Sequence, residues 1–497
     1  MGEADTTAAP DRRLRSLDPA TGNLVAELPL HAPAEVGEAV HRARRAAEYW
    51  SELPWQERRR ALLRWAAHLV RDADALCALV HAENGKPADD AYLELALALG
   101  HIRWAARHAG RAVAARRVAP GTLMANFQAR VERRPLGVVG VIGPWNYPVN
   151  TPIGSIAYAL AAGNTVVFKP SEHTPAVGRF CVEAFTAANP GLPVGVLGAV
   201  FGEGGTGAAL VASAVDLIAF TGSAATGRKV MASAAERLTP VLLELGGKDP
   251  VIVAADADVE SAAEAVAWGA MSNAGQTCIG VERVYVERSV AGRFHAALRD
   301  ELRDIRAGGA YGPMTVPEQV DVVRRHLVGA LEAGGTALVG GPDALRPPYI
   351  DPIVLVDVPE SHPAMQEETF GPLVVVRTVD DVEQAVQLAN GTRFGLGATV
   401  FSRRHGLAIA RRLRCGTVSV NAMLAYAAIP ALPFGGMGDS GFGRIHGLEG
   451  LHAFTRTQAL ARRRFPIPGM TLPTFRRGPG TMRLLRAALN RLHGHAR

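Results

Sequence analysis

Gly137-Val138-Val139-Gly140-Val141-Ile142-Gly143 is a short apolar run closed at both ends by glycine. A run of this length, without the spacing of a helix, predicts a buried strand. Asn164-Thr165-Val166-Val167-Phe168 and Val215-Asp216-Leu217-Ile218-Ala219-Phe220 have the same character. Helical stretches lie between them, at Ile153 to Ala162 and Gly178 to Ala188. Strands that alternate with helices predict a parallel, doubly wound α/β sheet. A second series begins at Pro250-Val251-Ile252-Val253. It continues through Val281 to Val286, Leu373 to Val376, Ala398 to Phe401 and Thr417 to Val420, and predicts a second α/β domain. Upstream, residues 33–115 read as helices, with Leu62, Leu63, Trp65, Ala66 and Leu69 at helical spacing. No internal repeat or low-complexity tract interrupts this order.

The 497 residues are too many for one ordinary core, so two or three domains are expected. A composition 48% apolar and 20% charged is that of a globular chain. The net charge of +6 does not point to nucleic acid. Lysine stands only at positions 86, 169, 229 and 248, the remaining cations are arginine, and no aromatic-interleaved basic stripe exists. Cys77, Cys181, Cys278 and Cys415 lie far apart with no zinc-type spacing, which predicts reduced thiols, a cytoplasmic protein and no metal site. Met1 to Ser16 mixes acids and bases around no apolar core, unlike a signal peptide. No run of eighteen apolar residues is present.

Three motifs bear reactive groups. Ser272-Asn273-Ala274-Gly275-Gln276-Thr277-Cys278 places a cysteine in a loop of small and polar residues after a helix-like run, Val259 to Met271. By itself it reads equally as a nucleophile or as a small buried hydrophobe. Glu244, in Glu244-Leu245-Gly246-Gly247-Lys248, is a base of the kind that activates a water, or else an ordinary ion-pair partner. Pro144-Trp145-Asn146-Tyr147-Pro148 follows the first strand, and Asn146 offers a side-chain amide to an oxyanion or simply shapes a turn.

Together these motifs closely resemble the aldehyde dehydrogenase superfamily, over roughly residues 17–460. Further matches are Glu83-Asn84-Gly85-Lys86-Pro87, Phe168-Lys169-Pro170-Ser171-Glu172, Phe220-Thr221-Gly222-Ser223-Ala224-Ala225-Thr226-Gly227, Glu367-Glu368-Thr369-Phe370-Gly371-Pro372, Asn390 to Leu396 and Pro433 to Arg444. The resemblance implies two doubly wound parallel-sheet domains and a small oligomerisation flap. The NAD-binding domain would span 1–116 and 136–246, the catalytic domain 247–447, the flap 117–135 and 448–465, and a tail 466–497. It implies Cys278 as nucleophile through a thiohemiacetal and a thioester. Asn146 and the Cys278 N–H would form the oxyanion hole, with Glu244 as the base for hydrolysis. Relatives that pass the acyl group to coenzyme A generally lack that glutamate, and inactive relatives usually lose the cysteine or the base. For the cofactor it implies Lys169 and Glu172 at the adenosine ribose and Phe220, Gly222, Ser223 and Gly227 around the phosphates. Glu368 and Gln319 would meet the nicotinamide ribose, Phe370 would pack near the ring, and Trp145 and Leu245 complete the set. Glu172 favours NAD, with NADP left open, because a carboxylate repels a 2′-phosphate. A homodimer or homotetramer is implied.

Two departures stand out. The lysine and glutamate of a proton relay found in many relatives are replaced by Ser155 and Leu448, with Glu449 the nearest substitute. Ser272 to Val286 and Gly435 to Leu451 look like bacterial succinic-semialdehyde dehydrogenases, yet Ser272 and Ile153 stand where those enzymes carry arginine. The loop Ala422 to Pro430 is apolar and, with Tyr147, Ile153 and Ile279, predicts an apolar pocket. A medium or long aliphatic, terpenoid, apocarotenoid or aromatic aldehyde is therefore expected, with succinic semialdehyde as the alternative. In the tail, Leu484, Leu485, Ala488, Leu489 and Leu492 share one helical face, so residues 482–492 predict an amphipathic basic helix that docks on its own protein or a neighbouring subunit, or that makes a weak membrane-surface or partner contact.

Overall fold

The computed structural model describes residues 13–466, 474–475 and 477–494. They form two units, one of residues 13–112 with 135–454, the other of 113–134 with the described residues from 455 onward. Most of Met1 to Ser16 lies outside the described residues.

In the first unit, Val138–Ile142 is a strand whose every residue is buried. A parallel strand covered on both faces is apolar throughout, so it shows no alternation. Thr165–Lys169 pairs parallel on one side and Leu217–Gly222 on the other. Leu197–Ala199 extends the first side and Val241–Leu245 the second, and Gly441–Phe442 adds an antiparallel edge. The strand order therefore reverses between Val138–Ile142 and Leu217–Gly222. Such a switch point opens a crevice at the carboxyl ends of the strands, where α/β folds bind ligands. Gly143 to Asn146 and Ser223 follow directly from those ends.

A seven-stranded sheet runs in the order Thr336–Val339, Ile353–Val356, Leu373–Val379, Val281–Glu287, Asp249–Val253, Gly397–Phe401 and Thr417–Val420. Only the first pairing is antiparallel. The apolar pattern had not singled out Leu197–Ala199, Val241–Leu245, Thr336–Val339 or Ile353–Val356. The amino-terminal region forms helices Pro33–Glu52, Trp55–Arg71, Ala73–Asn84 and Ala88–Ala112 after a hairpin of Arg13–Leu17 with Leu24–Pro29. Pro33–Glu52 shows why: Val36, Ala39, Val40, Ala43, Ala46, Ala47 and Trp50 form one buried stripe. Glu35 accepts the Ala32 N–H at 2.7 Å at its start.

The second unit holds a three-stranded sheet of Arg116–Val118, Phe127–Pro135 and Thr455–Arg463, with Thr455–Arg463 at one edge. Helix Pro479–His493 follows, and the Leu492 side chain is outside the described set.

Candidate active site

Helix Val259–Met271 is capped at its start by Asp258, whose Oδ1 accepts the Ser261 N–H at 3.3 Å. Past its end, Asn273, Ala274 and Gly275 take left-handed conformations in succession, with φ of 52°, 56° and 69°. For alanine this costs roughly 1–2 kcal/mol. Hydrogen bonds hold the turn. Gln276 Nε2 donates to Asn273 O at 2.9 Å, the Thr315 N–H to Gln276 Oε1 at 2.8 Å, and Asn273 Nδ2 to Asn146 O at 3.0 Å. At Gly275 a Cβ would stand 2.2 Å from the Gly371 carbonyl oxygen, so no side chain fits. The strained turn carries the chain to Cys278, which is partly exposed.

Asn146 meets this loop from the other side, its Nδ2 donating to Gln276 O at 2.9 Å. An amide has two protons, and the second is free for another acceptor. The Asn146 carbonyl accepts Lys86 Nζ at 2.9 Å. Lys86 is buried and paired with Glu94 at 2.5 Å, and Glu94 accepts the N–H groups of Val149 and Asn150 at 2.7 and 3.0 Å. A carboxylate there suits the start of helix Asn150–Ala161. Lys86 and Glu94 thus fix the Asn146 loop, and sequence reasoning had given them no role. A signal was present: of only four lysines, three are buried, each beside a carboxylate (Lys86–Glu94, Lys169–Glu172 and Lys248–Glu282).

Glu244 is buried in Val241–Leu245, and neither carboxylate oxygen has a hydrogen-bond partner among the described residues. Burial pushes its carboxyl well above the usual range, and Arg444 offsets part of this. The Cys278 thiol is likewise pushed up, by burial first and then by Asp249, Glu368 and Glu244. Shifts of this kind cluster at reactive sites.

A cleft of about 750 Å³ opens at the switch point. Asn146, Glu244 and Cys278 line it, as do Trp145, Lys169, Glu172, Phe220, Gly222, Ser223, Leu245, Gln319, Glu368 and Phe370. Gly227 does not. It lies behind the wall, where a Cβ would meet Leu245 at 2.6 Å, so its part is close packing of helix on strand. Lys169 Nζ reaches Glu172 at 2.9 Å. Burial works against the Glu172 charge, but Lys169 outweighs it and holds that carboxyl below its usual range. Ser223 caps helix Ala224–Ala235, its Oγ accepting the Thr226 N–H at 3.2 Å. Trp145 and Phe370 meet edge to face at 5.5 Å between centroids. Glu368 accepts the Gly247 N–H at 3.1 Å, and burial raises its carboxyl to about 8. Gln319 donates to Thr369 O at 2.5 Å. A carboxylate paired with a lysine, a capped helix start and an aromatic wall in one crevice fit a dinucleotide.

A second cavity, of about 250 Å³, adjoins the cleft and shares Thr151, Thr221, Glu244, Leu245 and Cys278 with it. Its wall is mainly apolar: Leu93, Leu97, Trp268, Ile279, Leu396, Met423, Leu424, Ala427, Phe434 and Ile445 contribute, with Tyr147. Ile153 corrects the sequence expectation. Helix Asn150–Ala161 is covered on nearly every side, and Ile153 faces the core while Thr151 faces the cavity. Ser272 does line it, and no arginine does. Ser155 is buried, and Glu449 is exposed and lines neither space, so it is no substitute for a relay there. At one end His446 stacks on His101, with centroids 3.7 Å apart. Burial keeps both neutral, His101 at about 4.

Residues 6–460 match the model of the aldehyde dehydrogenase family. A 4,4'-diapolycopene aldehyde oxidase of a Methylomonas species is 38% identical over 466 residues, which cover 92% of this chain and 86% of that protein. A Mycolicibacterium smegmatis protein, named as a candidate NADP(+)-dependent succinate-semialdehyde dehydrogenase, is 36% identical over 456 residues, 89% of this chain and 87% of its own. The crystal structure of an indole-3-acetaldehyde dehydrogenase with NAD+ superposes with a TM-score of 0.87 at 30% identity, covering 92% of this chain and 94% of that one. The chain belongs to the aldehyde dehydrogenase family, enzymes that oxidise an aldehyde with NAD(P), and its two doubly wound sheets are that family's fold.

Proposed function

We propose that this enzyme oxidises an apolar aldehyde (medium or long aliphatic, terpenoid, apocarotenoid or aromatic) to its carboxylic acid, with NAD the preferred acceptor. The observation that carries the reading is the meeting of the dinucleotide-sized cleft and the apolar cavity at Cys278 and Glu244. Cys278 Sγ attacks the carbonyl carbon and forms the C–S bond of a thiohemiacetal. Its proton leaves to solvent, to which Cys278 is partly exposed. The carbonyl oxygen takes the free Asn146 amide proton and the Cys278 N–H. A bound nicotinamide supplies the hydride acceptor. Loss of hydride from the thiohemiacetal carbon leaves a thioester on Cys278, and Glu244, ionised and with both oxygens unpartnered, takes a proton from the water that attacks it. The C–S bond breaks and the acid leaves.

The cofactor would be held by Lys169 and Glu172 at the adenosine ribose, by the Gly222–Ser223 turn at the phosphates, and by Gln319, Glu368 and Phe370 at the nicotinamide end. An ionised Glu172 supports NAD over NADP. Residues 1–116 and 136–246 serve as the NAD-binding domain and 247–447 as the catalytic domain. Residues 117–135 and 448–465 form an oligomerisation flap, whose exposed edge strand Thr455–Arg463 suits pairing with another subunit, as a homodimer or homotetramer. A cytoplasmic setting fits four free cysteines.

The name of the Methylomonas relative, a 4,4'-diapolycopene aldehyde oxidase, supports this reading. Succinic semialdehyde, suggested by the name of the other relative, fits less well. Lys86 is the cation on the cavity wall, it is committed to Glu94, and Asp90 stands nearby on the same wall. NAD and NADP reduction by purified protein across short, long, aromatic and succinic aldehydes tests this. Fast turnover of long or aromatic aldehydes with NAD supports it, and a preference for succinic semialdehyde overturns it.

A further inference from the structure

Residues 461–497 contain nine arginines and no aspartate or glutamate. Taking these nine from the chain's net +6 leaves −3 for the other 460 residues, so the positive charge of this protein is a property of its last segment. Helix Pro479–His493 carries Arg483, Arg486 and Arg491 exposed, and none has a carboxylate partner among the described residues. Between them Leu484 and Leu489 are 57% and 45% exposed, and Phe475, just upstream, is fully exposed. Arginines with leucines on one helix, and no acid to neutralise them, make an amphipathic basic surface. No helix among the described residues is long and apolar enough to cross a membrane.

We propose that this helix docks on the surface of an anionic lipid bilayer, with Leu484 and Leu489 in the headgroup–acyl boundary and the arginines at the phosphates. Charge selects the occupant. The same segment of a second copy carries the same nine positive charges and would repel it. A nucleic acid would satisfy the arginines but leave the leucines in water. Anionic lipid satisfies both, and a single helix without an acyl anchor gives reversible, salt-sensitive attachment. The benefit to the enzyme rests on the proposed apolar substrate, which partitions into the bilayer where docking would place the catalyst.

The test is flotation of the full-length protein with phosphatidylcholine vesicles, with and without phosphatidylglycerol. Binding only to the phosphatidylglycerol vesicles, lost in high salt, is expected. Reversal of charge at R483E, R486E and R491E should lower binding roughly fivefold per arginine. L484Q with L489Q should also weaken it. In both variants, turnover of propanal without vesicles and the mass by light scattering should stay unchanged. Propanal turnover reads catalysis alone, so its loss in the parent protein would count against the proposed function and not against docking. Equal binding to both vesicle types, or none, overturns docking. So does a changed assembly mass in the variants, which would assign the helix to a subunit contact, or binding to DNA in place of vesicles that survives L484Q and L489Q.

Discussion

Lengthening the aldehyde one methylene at a time probes the apolar cavity directly. Each buried methylene contributes about 0.8 kcal/mol, or roughly a fourfold gain in kcat/KM, because about 1.4 kcal/mol is tenfold. The cavity of about 250 Å³ lies near the lower bound of ligand pockets, so the gain should hold for several methylenes and then level off as the wall is reached. From butanal to octanal the expected rise is about two-hundredfold. Succinic semialdehyde has the length of butanal but ends in a carboxylate. Burying that charge among Asp90, Glu94 and apolar groups costs several kcal/mol without a free cation, so it should fall well below butanal. Ser272→Arg supplies the cation and should reverse the order of these two substrates. The assay is the initial rate of NADH formation under subsaturating aldehyde. A flat chain-length profile, or succinic semialdehyde exceeding butanal in the parent enzyme, would refute the reasoning.

Three further outcomes are expected. Gly275→Ala forces a Cβ to 2.2 Å from the Gly371 carbonyl and should lower kcat by at least about a hundredfold while circular dichroism stays that of the folded protein; near-normal turnover would show that the turn does not set the Cys278 position. Glu172→Ser removes an ionised, partly water-screened carboxylate, and the ratio of NADP to NAD efficiency should rise on the order of tenfold; no change would detach Glu172 from cofactor choice. Because the Glu244 carboxyl and the Cys278 thiol are both raised and both act deprotonated, kcat should climb with pH from neutral into the alkaline range, and a profile that falls there would contradict the assigned roles.

The elements that were legible in the sequence are those whose environment is uniform. Val138–Ile142 is buried on both faces and reads as one apolar run, and the helix-like run Val259 to Met271 is a helix over the same residues. Val241–Leu245 was passed over because Glu244 interrupts it, and a carboxylate inside a strand looks like surface until the fold shows it buried without partners. Leu197–Ala199 is too short to leave a pattern. The candidate catalytic and cofactor positions come from the motifs, and all but Gly227 line the cleft. The pocket was harder. Ile153 stands where succinic-semialdehyde dehydrogenases carry arginine, yet in a helix covered on nearly every side it faces the core while Thr151 faces the cavity. His446 and His101, far apart in sequence, meet only through the folded chain. Lys86 belongs to a matched motif, but its grip on the Asn146 carbonyl depends on Glu94 a turn or two along the next helix.

Covalent catalysis on Cys278, with hydrolysis driven by Glu244, leaves a trappable intermediate. Rapid mixing of Glu244→Gln with NAD and octanal, with the acyl-enzyme trapped by acid and weighed by mass spectrometry, tests it most directly. Glu244→Gln should accumulate acyl adduct on Cys278 while steady-state turnover falls by about 10²–10⁴-fold, and Cys278→Ala should form no adduct yet still bind NAD. An adduct on another residue, or steady-state turnover in Cys278→Ala, would contradict it.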